Sequence, residues 1–130
     1  MTLDFSTDAW QKNLPAVGSH QATISDINFI PKEDITWMIV TWTLADGGAV
    51  EELLGVDAPL DSPMLAKTAN GKRRLNGLCE MHKIKPSFKG YDDIAAAFIG
   101  SAATVVIGHK PNGAMDEPVI RGVSAPSKNK

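Results

Sequence analysis

Cysteine is almost missing from this chain: Cys79 is the single thiol in 130 residues, so no disulfide can form within it. That fits a reducing compartment and leaves the core to hold without a covalent brace. A dominant charge is also missing, since 13 Lys and Arg stand against 15 Asp and Glu for a formal net charge of -2. Dedicated nucleic-acid binders are usually basic overall or on one face, so here only a local basic surface could serve such a role. No long hydrophobic run occurs. The longest nearly apolar stretch, Ile94 to Gly108, is interrupted by Gly100, Ser101 and Thr104, and is too short to span a membrane. The first thirteen residues, MTLDFSTDAWQKN, have neither a basic start nor an apolar segment, and no secretory signal is expected in them.

Catalytic signatures are lacking too. The histidines are His20, His82 and His109. A zinc site needs about four ligands, usually in tight local pairs. Cys79 and His82 stand three apart on a helical stretch with no second pair nearby, so no metal is expected and Cys79 reads as a small buried apolar residue. Glu51 and Glu52 are neighbours in a strand and point to opposite faces, which rules them out as a catalytic dyad. Asp92 and Asp93 read as helix capping. No phosphate-binding glycine loop and no strained nucleophile turn occurs. An enzyme is not expected, and neither is a cofactor.

What is present suits one domain: 43% hydrophobic and 22% charged residues are near globular averages. Residues 1–17 form a polar lead-in, with Ser6 or Thr7 capping a short helical turn that holds Ala9 and Trp10, the indole plugging one end of the core. Residues 19–30 predict a first strand. Ala22 and Ile24 share one parity, Ile27 and Phe29 the other, so a bulge is expected near Ser25–Asp26. Residues 35–44, ITWMIVTWTL, predict the clearest strand, with Met38, Val40, Trp42 and Leu44 inward and Trp37, Ile39, Thr41 and Thr43 on the mixed face. Asp46-Gly47-Gly48 predicts a hairpin into a third strand, 49–55, with Val50 and either Leu53 or Leu54 turned inward.

Ser62-Pro63 has the form of a helix cap followed by a first-turn proline. Asn70-Gly71 is expected to break the helical stretch, leaving 72–83 as the main helix. Its Leu75, Leu78, Cys79 and His82 lie on one face, and Gly77 permits close packing. A short second helix capped by Asp92 or Asp93 runs through Phe98 and closes at Gly100. Strands at 102–110 and 118–123 follow, separated by a Pro111-Asn112-Gly113 turn. Three strands, a helical insert and two further strands predict a mainly β fold: a five-stranded, OB-like antiparallel barrel with a helix between strands 3 and 4. The single OB-like domain covers 1–123, and 124–130 form a flexible tail.

The remaining signal is basic and aromatic. Lys72, Arg73 and Arg74 cluster, His109 and Lys110 end the fourth strand, and Arg121 lies on the fifth. Single-strand binding needs cations along a backbone path and flat side chains for stacking. Trp37, on the less apolar face of its strand, is the stacking candidate. The sites expected to meet nucleic acid are therefore Trp37, Lys72, Arg73, Arg74, His109, Lys110 and Arg121.

The layout resembles small phage-encoded single-stranded DNA-binding proteins with an OB-like fold. The similar parts are Leu3-Asp4-Phe5-Ser6, a first strand beginning at Gly18, the strong second strand and the Asp-Gly-Gly hairpin. To these are added Arg74-Leu75-Asn76-Gly77-Leu78, and Phe98-Ile99-Gly100 leading into a Val-rich strand. The resemblance covers most of the chain by layout. It implies a protein of the host-cell cytoplasm that coats single-stranded DNA in phage replication or recombination. Such a protein could have a host or phage replication partner; homo-oligomer formation stays open. The basic end, Ser127-Lys128-Asn129-Lys130, departs from the acidic tail that bacterial single-strand binders use to recruit partners. The alternative is a phage protein-interaction module that inhibits or adapts a host protein.

Overall fold

The computed structural model describes residues 14–112 and 115–126. The expectations for Ser6, Thr7 and Trp10, for Gly113 and for residues 127–130 lie outside them; Pro111 and Asn112 of the expected turn instead extend the fourth strand, and Ser124 of the expected tail ends the fifth, each held by a ladder pair. Five strands, β1 (Gly18–Lys32), β2 (Ile35–Leu44), β3 (Ala49–Asp57), β4 (Ala102–Asn112) and β5 (Met115–Ser124), form one antiparallel sheet in the order β3-β2-β1-β4-β5. Between β3 and β4 come a 3-10 helix, Pro63–Thr68, and two α-helices, α1 (Ala69–His82) and α2 (Tyr91–Phe98). Among the described residues no helix is long and apolar enough to cross a membrane.

β2 has the bounds and the inward face its alternation predicts: Met38, Val40, Trp42 and Leu44 are buried. The parity conflict in β1 is resolved as expected. The β1–β2 register shifts between Ile24 and Asp26, so that Ala22, Ile24 and Ile27 are all buried. That bulge is clasped from below, because the Gly100 amide donates to the Ile24 carbonyl at 2.7 Å and the Ile24 amide to the Ser101 carbonyl at 2.9 Å. Gly100 makes the return possible with φ of 93°, a left-handed conformation that side chains with a Cβ resist. Leu78 and Cys79 from α1 and Ile94 and Phe98 from α2 complete the core.

Two glycines exchange roles relative to expectation. Asn70-Gly71 does not break the helix; both residues lie inside α1. A Cβ on Gly71 would stand 1.9 Å from the Gly55 carbonyl oxygen of β3, so the missing side chain is what lets the helix lie on the strand. Gly77, expected to allow close packing, faces open space. The second helix is capped differently too. Gly90 is its N-cap, with no side-chain cap bond, and Asp92 and Asp93 sit in the first turn, where carboxylates favour the helix dipole.

Ser62 caps the 3-10 helix as its sequence predicts. Its Oγ accepts from the Met64 amide at 3.1 Å and donates to Asp34 Oδ2 at 3.3 Å. Ser62→Ala is expected to cost about 1 kcal/mol, measured as a lower urea midpoint.

The sheet is not closed as a barrel. β3 and β5 approach each other but form its two edges, with no ladder between them. Local chemistry accounts for the gap. Pro118 in β5 has no N–H to donate, the β4–β5 register shifts at Val106/Ile107 so that Arg121 bulges, and the far half of β3 is occupied by α1 and the 3-10 helix.

Candidate nucleic-acid interface

The gap between β3 and β5 is a groove of about 850 Å³. Its walls are Glu51–Leu54 of β3 and Glu117–Arg121 of β5. Asn70, Arg73 and Arg74 of α1 and Lys110 of β4 complete its lining. Four of the seven residues singled out from the sequence, Arg73, Arg74, Lys110 and Arg121, therefore meet in one place.

Each is positioned by its element. Arg73 Nη1 donates to Asn70 Oδ1 at 2.9 Å, one turn back on α1. The Arg121 side chain lies across Gly108. A Cβ on that glycine would stand 2.6 Å from Arg121 Nε, so Gly108 leaves the room the arginine occupies. Lys110 is exposed and stands opposite Glu117 in the β4–β5 ladder.

Arg74 is held most tightly. Its Nε and Nη2 donate to Glu52 Oε2 at 3.0 and 2.9 Å, and Trp42 Nε1 donates to Glu52 Oε1 at 3.3 Å. Glu52 is buried and Arg74 retains 22% of its side-chain exposure. Glu52 was missed in the sequence, although a signal existed. Once Val50 and Leu54 are assigned inward, alternation places Glu52 on the same face, and a carboxylate there requires a partner. The inward residue of the Leu53/Leu54 pair is Leu54, whereas Leu53 is 60% exposed.

The other three expected residues are not brought into the groove. Lys72 is exposed on α1 and does not line it. His109 is half-buried with Nε2 2.7 Å from the Pro15 carbonyl oxygen. A carbonyl only accepts, so the ring nitrogen donates, and this side chain pins the lead-in segment. His20 does the same to Ala16 at 2.6 Å. Trp37 is half-buried, with its six-membered ring 3.5 Å from where a Gly55 Cβ would stand. It pairs with Ile30 and Gly55, while Ile39 in the next outward position pairs with Leu53. An outward apolar row therefore leads from Leu53, on the groove wall, through Ile39 to Trp37.

Cys79 is buried, and desolvation raises its thiol above the usual range, which keeps it an unreactive core residue. Among the described residues no group of three or more His, Cys, Asp or Glu is placed to hold a metal ion. Compared with known protein families and with curated proteins, the chain matches none.

Proposed function

We propose that this protein binds single-stranded nucleic acid in the β3–β5 groove, and that the ligand is single-stranded DNA exposed in phage replication or recombination. The observation carrying the reading is the convergence of Arg73, Arg74, Lys110 and Arg121, from one helix and two strands, beside an outward row that ends in an indole. The strand order supports an OB-type barrel left open: joining β3 to β5 would close five strands, with the helices between the third and fourth. The same reading makes the protein a non-catalytic component of the host-cell cytoplasm, working beside a host or phage replication protein.

The test is a fluorescence-anisotropy titration with a labelled dT oligomer at several salt concentrations. Binding is expected at low salt. Outside the Arg74–Glu52 pair the groove holds Arg73, Lys110 and Arg121 against Glu51 and Glu117. With three such cations the slope of log K against log salt should be no steeper than about -2 for a single strand. Trp37→Ala should weaken binding about tenfold while the protein stays folded, since a stacked base contributes about 1–3 kcal/mol. No binding at low salt would end this reading. The exposed Leu53 and Ile30 and the carboxylates in the groove would then favour a protein-interaction module.

A further inference from the structure

Resting on the single-strand reading above, we infer that the Glu52–Arg74 pair is a base-reading element selective for guanine. A guanidinium carries five N–H donors in a rigid plane. Glu52 Oε2 takes the edge formed by Nε and Nη2, at 3.0 and 2.9 Å. The end formed by Nη1 and Nη2 keeps two parallel N–H directions, and Nη1 has no acceptor among the described residues. The side chain lines the groove and is partly accessible there. Its orientation is fixed by Glu52, which the buried Trp42 indole holds in turn, so little freedom is lost when a ligand arrives.

Charge decides which acceptor suits that fork. A carboxylate at 2.9 Å offsets the guanidinium's charge and repels an incoming phosphate. The hydrogen-bond donors remain. A neutral, planar edge with two adjacent acceptors is therefore favoured over an anion. Guanine offers O6 and N7 in that arrangement on an edge away from its sugar, the commonest specific partner of arginine; unpaired cytosine offers N3 and O2, but O2 lies against its sugar, while adenine pairs an acceptor with a donor and thymine an acceptor with a methyl group. Arg73, Lys110 and Arg121 meet phosphates, and Arg74 reads a base.

The experiment compares labelled dT oligomers of one length whose central position is dT, dG, dA, dC or 7-deaza-dG, which lacks the N7 acceptor. A single guanine keeps the strand from self-assembling. The dG oligomer should bind about tenfold tighter than the dT and dA oligomers and tighter than the dC oligomer, and 7-deaza-dG should lose that advantage. Arg74→Lys should bring the dG-to-dT affinity ratio to about one, an effect on a ratio that general destabilisation does not produce. Should Arg74→Lys fail to fold, the 7-deaza comparison on the unaltered protein still decides. Equal affinities, a preference that survives loss of N7, or a preference for dC would each overturn guanine reading while single-strand binding stands. If no oligomer binds, both readings fall together.

Discussion

Gly71→Ala is expected to lower the stability of the folded protein by about 3 kcal/mol, because overpacking against rigid backbone has no inexpensive relief. The added Cβ would meet the Gly55 carbonyl oxygen at 1.9 Å and its carbon at 2.8 Å. Neither atom can move aside as the tip of a side chain can, so α1 must lift from β3. Gly77 in the same helix provides the internal comparison. A Cβ there meets nothing within 4 Å, so Gly77→Ala should stabilise by about 0.5–1 kcal/mol through helix propensity alone. Urea unfolding of the two variants measures both signs. Shifts in the same direction would show that α1 does not lie against β3 as described.

Glu52→Leu is the second substitution with a large expected effect, a loss of about 2–3 kcal/mol. It removes the acceptor of the buried Trp42 indole and strips Arg74 of its carboxylate. An orphaned buried donor costs about 1–3 kcal/mol, and a partly buried charge without its partner adds to that. Arg74 keeps some exposure, which holds the cost below that of a fully buried pair. Glu52→Leu combined with Arg74→Leu should recover part of the loss, since an apolar pair leaves no uncompensated charge. A double variant no more stable than Glu52→Leu alone would mean the two side chains do not act as a pair.

Much of the sheet was legible because strands announce themselves in period two. The uniform apolar parity of Met38, Val40, Trp42 and Leu44 placed β2, and the broken parity between Ile24 and Ile27 located the bulge that the ladder contains. Helix limits were less legible. An Asn-Gly pair signals a break from local propensity alone, and the Gly55 carbonyl that makes Gly71 necessary is a tertiary neighbour. Closure was illegible for a related reason: strand count suggests a barrel, but whether the last edge pairs depends on where Pro118 and the Arg121 bulge fall against β3. In the candidate site, runs of cations could be seen in the chain, yet only folding separates Arg73 and Arg121, which line the groove, from Lys72, which does not. A strand end beside Lys110 gives His109 the pattern of a ligand contact. Its bond to Pro15 spans most of the chain, and no local pattern encodes it.

The ladder joining β1 to β4 sets Gly18–Thr23 against Ile107–Ala102, and among the described residues no other strand pairing ties the first three strands to the last two. The chain is in effect a meander and a hairpin stapled by six residue pairs whose members lie far apart in sequence. Such late, non-local pairing predicts millisecond-to-second folding, slower than a helical protein of this size. The two hairpin systems should gain structure before the staple forms, so substitutions in the β2–β3 turn should slow folding, whereas those in the staple should mainly speed unfolding.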